Sequence, residues 1–256
     1  MIWLIASLLL TGLVWYFFRT TRALPVLMFH KIDPKRQDSL TVSLPQFEQH
    51  LHWLKTHNYQ TITLAELLTS VEQNRALPAR SILITFDDAY VNNLLYALPV
   101  LERFSMKAVL FVPTAFVGLC NQWDGCTDPL LTADQLKQLM PTFEFGLHSH
   151  QHLNYKTLTV NEIRADLTQN LAAFETLQIP YVRAFAYPYG GRPNDPAIKR
   201  AMQELMQQSG IRLAFRIGNR LNRFPVGNRF ELQRLDIRGT DSLGRFIRKV
   251  RIGKLI

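Results

Sequence analysis

The chain alternates between short apolar runs and longer segments in which apolar side chains recur every three or four residues. Short runs bounded by polar residues are typical of buried strands, and the longer pattern is typical of amphipathic helices. We predict strands over residues 25–29, 59–63, 82–84, 107–113, 143–147, 184–187, 212–215 and 231–237. Helices are predicted to begin near Ser43, Thr63, Asn93, Thr132, Thr159, Asp195 and Ser242. This alternation predicts an α/β fold of βα units around a parallel sheet, with the loops after the strands converging on one rim.

Several helix starts carry local signals that make the prediction more specific. Ser43, Thr63, Thr132 and Thr159 are each followed three residues later by Glu or Gln, which is a capping-box pattern. The helix that begins near Asn93 contains a proline, which predicts a kink or a break. With 47% apolar and 19% charged residues, the composition is that of a globular protein with a full core.

Residues 1–18 contain no charged side chain, and Arg19 and Arg22 follow them. Eighteen residues are just enough to span a bilayer, and the charged start and small-residue cleavage site of a signal peptide are missing. We therefore predict an uncleaved single-pass anchor over residues 1–22 and one globular domain over residues 23–256. A buried core helix is the alternative. The positive charges after the span favour an inner-membrane protein with its domain on the cytoplasmic side.

Two groups of chemically active side chains follow predicted strands. Asp87 and Asp88 come directly after one apolar run, where adjacent carboxylates repel each other unless a cation or a shared proton compensates. Capping of the following helix is the alternative role for one of them. His148 and His152 follow another strand and would share a face if the segment were helical. One Asp with two His forms the three-ligand set of hydrolytic zinc sites, and a solvated polar loop is the alternative.

Three segments in order resemble the motifs of the polysaccharide deacetylase family, also called the NodB-homology or carbohydrate esterase 4 group. They are Thr85-Phe86-Asp87-Asp88-Ala89, then His148-Ser149-x-x-His152, then Tyr187-Pro188-Tyr189-Gly190. The resemblance extends from about residue 25 to about residue 250 and implies a distorted (β/α) barrel over the catalytic domain. It implies hydrolysis of the N-acetyl group of an amino sugar with a divalent metal ion, zinc being favoured.

The resemblance also implies roles for individual residues. Asp88, His148 and His152 would hold the ion, and Asp87 would act as the general base. The backbone N–H of Tyr189 would help to hold the oxyanion. Three residues within or next to the motifs are expected to contact the substrate: Tyr90, Tyr187 and Pro188.

Two departures from the family pattern put parts of this mechanism in doubt. Ala186 stands where the third motif usually carries an Arg that restrains the base, and no histidine follows His152 to supply the general acid. His30 ends the first predicted strand and is the best substitute donor. The alternatives are that Asp87 returns the proton itself, or that activity is low.

The charge distribution indicates which partners the protein could bind, and the two cysteines raise the question of a disulfide. Residues 183–256 carry 16 Lys and Arg against 5 Asp and Glu. This balance suits either a solvated surface or contact with anionic lipid or a phosphate-bearing substrate, and we expect no nucleic-acid partner because no such motif appears. The expected partners are an amino-sugar polysaccharide or a lipid-linked glycan, and the membrane. Cys120 and Cys126 are expected to be ordinary thiols, although they could pair in a periplasmic loop.

Three functions therefore stay open. The first is deacetylation of an amino-sugar polysaccharide. The second is deacetylation or deformylation of a lipid-linked amino sugar, which the anchor and the basic C-terminal third favour. The third is a non-catalytic carbohydrate-binding protein, which would be expected to lose Asp87 or a metal ligand, whereas this chain keeps all four.

Overall fold

A computed structural model describes residues 23–253 as a barrel of parallel strands surrounded by helices. The strands are β1 (Ala23–Leu24), β2 (Val26–Phe29), β3 (Lys31–Asp33), β4 (Thr41–Ser43), β5 (Gln60–Thr61), β6 (Ser81–Asp87), β7 (Ala108–Val112), β8 (Phe143–Leu147), β9 (Ala184–Ala186), β10 (Leu213–Ile217), β11 (Asn222–Arg223) and β12 (Leu232–Asp236). Seven of them close the ring in the order β2–β12–β10–β9–β8–β7–β6, and β6 pairs back with β2. The predicted barrel is therefore confirmed in its parallel, strand-and-helix architecture.

Pairing in register closes the barrel between its first and last strands. Leu27 of β2 lies opposite Ile84 of β6 on one side and opposite Leu235 of β12 on the other. The short β5 extends the sheet at the start of β6. The pairs β1–β11 and β3–β4 lie outside the barrel, and the apolar periodicity did not predict them.

Seven α-helices lie among the described residues, and most begin where the sequence predicts. They are α1 (Leu44–Thr56), α2 (Leu64–Glu72), α3 (Leu98–Arg103), α4 (Ala133–Leu139), α5 (Val160–Leu177), α6 (Pro196–Gln208) and α7 (Leu243–Ile252). The capping boxes of Thr63, Thr132 and Thr159 are confirmed. The one predicted at Ser43 is wrong, because no hydrogen bond caps α1 through the Ser43 side chain.

The segment with a proline, between the acid pair and β7, shows the predicted break. A π-helical turn at Asn93–Ala97 runs into α3, and Pro99 lies in the first turn of α3. Proline has no N–H to donate to the preceding turn, so this is where a regular helix would fail.

Side chains on each barrel strand alternate between two apolar cores. On β6, Leu83 belongs to the core inside the barrel, and Ile84 and Phe86 belong to the core between the barrel and its helices. Thr85 and Asp87 share the parity of Leu83, so both point into the barrel. This alternation decides which polar side chains reach the rim from the inside.

The predicted membrane anchor, residues 1–22, lies outside the described residues. Within residues 23–253, no helix has the length and apolar character that crossing a membrane would require.

Candidate active site

The acid pair lies at the carboxyl end of β6, and its two members face different surroundings. Asp87 is the last residue of the strand and points into the barrel. Asp88 and Ala89 follow with φ of 74° and 59°, so the chain turns sharply through two consecutive left-handed residues. The Asp88 N–H donates to the Phe111 carbonyl on the neighbouring strand β7 (3.1 Å), which fixes this turn to the rim. Asp88 is 3% exposed.

Arg234 on β12 holds the Asp87 carboxylate from inside the barrel. Its two terminal nitrogens donate to Asp87 Oδ1 (2.6 Å) and Oδ2 (2.7 Å), a bidentate pair in which the Arg234 side chain is fully buried. The guanidinium also lies 5.5 Å from the centre of the Phe111 ring. The restraint that Ala186 could not provide therefore comes from a different strand, and the sequence-based doubt about it is corrected.

The electrostatic surroundings keep both carboxyl groups ionised. Burial is the largest influence on Asp87 and raises its pKa, but Arg234, His148 and His30 together hold that pKa below its usual value. Burial also raises the pKa of Asp88, while His152, His148 and His30 hold it well below the usual value. His30 acts on both carboxylates, so it lies within electrostatic range of the pair.

The histidine segment is a loop, which corrects the idea that a helix face brings His148 and His152 together. Ser149 (φ 64°) and His152 (φ 53°) adopt left-handed conformations that fold the loop back on itself. The Ser149 hydroxyl donates to Asp166 Oδ1 (3.0 Å) and accepts from the Leu153 N–H (2.9 Å). Ser149 thus orients this loop.

Asp166 on α5 is the buried centre of that loop, and sequence reasoning missed it. It accepts hydrogen bonds from the Ser149 hydroxyl, the His150 and Gln151 N–H groups, and the Tyr155 hydroxyl at 2.8 Å. A signal was available, because Asp166 lies on the same helix face as Ile163 and other core side chains. A polar side chain on an otherwise apolar helix face needs buried partners.

Asp88, His148 and His152 place one ligand atom each within 4.8 Å of one another. Asp88 Oδ1 lies 3.3 Å from His148 Nε2 and 3.1 Å from His152 Nε2. Two ligands held about 2.1 Å from one ion at a tetrahedral angle are about 3.4 Å apart, so these separations suit a small divalent cation. His150 does not join the group, since its Nδ1 contacts the Thr114 hydroxyl (2.9 Å).

The hydrogen bonds of these ligands favour a cation between them. His148 Nδ1 donates to the Ala186 carbonyl (2.8 Å), so the Nε2 lone pair faces Asp88 when the ring is neutral, as a metal ligand must be. His152 Nδ1 contacts the Tyr189 hydroxyl (3.1 Å). Among the described residues, Asp88 Oδ1 is buried with no hydrogen-bond partner. Acceptor atoms facing each other in a buried site repel unless a cation lies between them, so the residues present fit a bound divalent metal.

The other predicted site residues are distributed unevenly around the rim. Tyr189 adopts a left-handed conformation (φ 57°) in the turn after β9 and is 56% exposed. Pro188 opens that turn and is buried. Tyr90 is buried, with its ring 5.2 Å from Lys31 Nζ, and burial raises the pKa of its hydroxyl. Tyr187 is fully buried and its hydroxyl donates to the Phe230 carbonyl (3.3 Å). The structure therefore does not bring the Tyr187 side chain to the candidate metal ligands Asp88, His148 and His152.

A disulfide closes a second rim loop, between Cys120 and Cys126. The expectation of two ordinary thiols is therefore wrong, and the pairing that the sequence left open is the one observed. Trp123 lies inside this loop and stacks on His152, with ring centres 4.0 Å apart and an interplanar angle of 24°. No pattern in the sequence predicted that Trp123 would lie at the site.

Comparisons with known proteins agree with this geometry. The sequence profile of the family described as polysaccharide deacetylase matches residues 74–214. YxkH of Bacillus subtilis (strain 168), whose name assigns it to the polysaccharide deacetylases, is 31% identical over 180 residues, which are 70% of this chain and 60% of YxkH. A poly-beta-1,6-N-acetyl-D-glucosamine N-deacetylase of Staphylococcus aureus (strain MSSA476) is 29% identical over 65% of this chain and 60% of that protein. The match thus spans about 60% of the length of these curated relatives.

Solved structures show the same fold. The Streptococcus pyogenes deacetylase PplD, in complex with acetate, superposes with a TM-score of 0.74 at 19% identity, covering 89% of this chain and 98% of PplD. IcaB from Ammonifex degensii gives a TM-score of 0.74 at 21% identity, covering 90% of this chain and 96% of IcaB. The family profile covers more than half of the sequence and includes both the acid pair and the histidine loop. The chain belongs to the polysaccharide deacetylase family.

Proposed function

We propose that this protein is a metal-dependent hydrolase that removes the N-acetyl group from an amino sugar in a polysaccharide, and that its metal is Zn²⁺. The observation that carries the proposal is the donor set of Asp88, His148 and His152 beside a carboxylate held by Arg234. The name of the Staphylococcus aureus relative supports a β-1,6-linked N-acetylglucosamine polymer as the substrate class.

Each residue of the site has a separate role in amide hydrolysis. A divalent ion bound by Asp88, His148 and His152 would polarise the amide carbonyl and lower the pKa of a water molecule. Asp87 accepts the proton of the attacking water, and Arg234 fixes the orientation of its carboxylate for that transfer.

The remaining steps concern the oxyanion and the leaving group. The Tyr189 N–H, in the turn after β9, donates to the developing oxyanion. His30, which directly follows β2 on the rim, donates a proton to the amine as the C–N bond breaks. Pro188 and Tyr90 support the substrate side of the site from buried positions, whereas the Tyr187 side chain, buried with its hydroxyl on the Phe230 carbonyl, does not reach the substrate.

Acetate release tests the proposal directly. The purified protein is treated with a chelator, supplied again with Zn²⁺, and incubated with β-1,6-linked N-acetylglucosamine oligomers. We expect acetate release that is lost on chelation and restored by Zn²⁺. The absence of acetate release from both these oligomers and β-1,4-linked ones, with zinc bound, would contradict the polysaccharide substrate.

A lipid-linked amino sugar is the second candidate substrate, and two sequence features favour it. Residues 1–18 are uncharged, and residues 183–256 are strongly basic. A protein lacking residues 1–22 distinguishes the two candidates, because it should keep its activity on short oligomers if the substrate is a polymer. Activity on an N-acetylated or N-formylated lipid-linked sugar in vesicles, lost on truncation, would instead support the lipid substrate.

We also propose attachment to the inner membrane through residues 1–22, with the catalytic domain on the outer, oxidising side. The Cys120–Cys126 disulfide supports this side, because disulfides persist outside the reducing cytoplasm. This departs from the cytoplasmic side that the positive-inside rule favours. A fluorescent protein that matures only in the cytoplasm, fused after Ile256, should stay dark, and a bright fusion would contradict the proposal.

A further inference from the structure

The loop closed by the disulfide is built to hold one conformation. Cys120 and Cys126 have Cα atoms 5.0 Å apart. Between them lies a 3₁₀ turn, Gln122–Asp124, followed by Gly125 in a left-handed conformation (φ 72°). The single large apolar side chain of this loop, Trp123, is therefore held in place by the covalent ring and not by a regular helix or strand.

The loop is docked on the segment that follows the acid pair. The Leu131 N–H donates to the Ala89 carbonyl (2.8 Å), and the Val91 N–H donates to the Pro129 carbonyl (3.0 Å). Asp128 receives the Lys31 ammonium at 3.1 Å, and both side chains are almost fully buried. Lys31 directly follows His30, so the base of the loop is tied both to the segment after the acid pair and to the residue next to the proposed proton donor.

The other side of the loop rests on the histidine segment. Trp123 stacks on the His152 ring and meets Phe116 edge-on, with ring centres 5.1 Å apart. Phe116 ends a 3₁₀ turn in which the Ala115 N–H donates to the His150 carbonyl (2.9 Å). Trp123 is therefore held at a metal ligand from two directions, yet its side chain remains only partly buried.

We propose that Trp123 is a substrate-positioning residue whose exposed indole surface receives the apolar C–H face of the N-acetylated sugar ring. Tyr189, 56% exposed, packs against the same His152 ring at 4.8 Å, so two aromatic side chains border the metal ligands. Flat apolar surfaces beside a few polar groups are typical of sites that bind a ring-shaped ligand. The disulfide determines where this surface lies.

This inference rests on the proposed function, so its test separates binding from turnover. Asp87→Asn removes the base, and its affinity for a β-1,6-linked N-acetylglucosamine pentamer is measured by calorimetry with zinc bound. Adding Trp123→Ala is expected to weaken that affinity about tenfold, the order of one lost aromatic contact. Trp123→Phe should restore part of it, and Gln122→Ala, an exposed neighbour in the same turn, should leave it unchanged.

In the enzyme with Asp87 intact, Trp123→Ala should raise KM more than it lowers kcat, with unchanged zinc content. Unchanged affinity in Trp123→Ala would overturn the inference. A loss of zinc together with affinity would also overturn it, because Trp123 would then act only by supporting His152. If wild-type protein releases no acetate and the Asp87→Asn protein binds no pentamer, the proposed function fails first, and this inference fails with it.

Discussion

Asp87 and Arg234 stand on strands inside the barrel, whereas His152 and Trp123 stand on loops at its rim. The strand-borne pair is fixed by the register of β6 and β12 in a closed barrel, with two short hydrogen bonds and full burial. The loop-borne residues depend on local devices, namely the buried Asp166 and the Cys120–Cys126 disulfide. The barrel therefore orients the proposed base by itself, whereas the histidine loop and the rim loop each need a dedicated support.

The largest effect is expected when the Asp87–Arg234 pair on the strands is broken. Arg234→Met keeps a long side chain but removes the guanidinium group, so the Asp87 carboxylate stays buried without its partner. Breaking one side of a buried ion pair costs about 3–5 kcal/mol, so we expect a loss of that order in the free energy of unfolding and a severe loss of acetate release. Urea unfolding and kinetics measure both, and Arg234→Lys, which keeps the charge, should lie between.

The pH dependence of the Arg234→Met variant has a defined sign. Burial raises the pKa of Asp87 and Arg234 is the main group that lowers it, so removing Arg234 moves that pKa upward. A base must be deprotonated, so the acid limb of the pH–rate profile should move to higher pH. In the wild type, the stability that Arg234 contributes is present above the ordinary carboxyl pKa of about 3.9 and is lost as pH falls through the lowered value. An acid limb that does not move would exclude Asp87 as the titrating base.

Removing the support of the histidine loop should lower the free energy of unfolding less than Arg234→Met does, but it should weaken zinc binding more. Asp166→Ala leaves several buried donors without an acceptor, at about 1–3 kcal/mol for each group that stays unsatisfied. We expect about 2–4 kcal/mol in total and a 10–100-fold weaker zinc affinity, as is usual when groups supporting metal ligands are lost. Asp195→Ala is a control carboxylate, since it only caps α6 and should cost about 1 kcal/mol without affecting zinc. Full zinc affinity in Asp166→Ala would show that the loop needs no such support.

Opening the disulfide should have a smaller effect. Replacing Cys120 and Cys126 together by Ser removes a short covalent ring, which is worth about 2 kcal/mol in the chain-entropy account. Zinc content should stay unchanged, because Asp166 still holds the histidine loop, while KM for the oligomer should rise as Trp123 loses its fixed position. A reductant should reproduce the change in wild type and have no effect on the double variant. A drop in zinc content would contradict the separation of the two supports.

The smallest effect is expected for a change at His150, within the histidine loop. His150 lies between the two ligand histidines, but its ring contacts Thr114 and is not part of the metal group. His150→Ala should therefore cost about 0.5–1.5 kcal/mol, the value of one hydrogen bond, with unchanged zinc content and kcat. Inductively coupled plasma analysis of zinc checks this, and zinc loss comparable to that of His148→Ala would make His150 a ligand.

The sequence predicted the parts of the site that are local in the chain. Asp87, Asp88 and His148 lie at the ends of apolar runs, so the periodicity alone predicted their position at strand ends, and His152 follows in the loop after β8. Most helix starts could also be predicted, because a capping box is formed by residues within one four-residue segment. Ser43 failed as a side-chain cap even though the four-residue pattern is present there as well.

The parts that were missed depend on contacts between distant segments. Arg234 lies 147 residues from Asp87, and their pairing exists only once β12 pairs with one side of β2 and β6 with the other. Its signal was a charged residue two positions after Leu232, on the side of the strand that faces into the barrel. Trp123 had no such signal, because its position depends on whether Cys120 and Cys126 pair.

We propose that one carboxylate of the acid pair binds metal and that the other performs base catalysis. Zinc content and acetate release, measured together on Asp87→Asn and His152→Ala, test it most directly. Asp87→Asn should keep its zinc and lose about 10²–10⁴-fold in rate, the usual contribution of a general base, whereas His152→Ala should lose both. Near wild-type acetate release by Asp87→Asn, or full zinc occupancy in His152→Ala, would contradict the account.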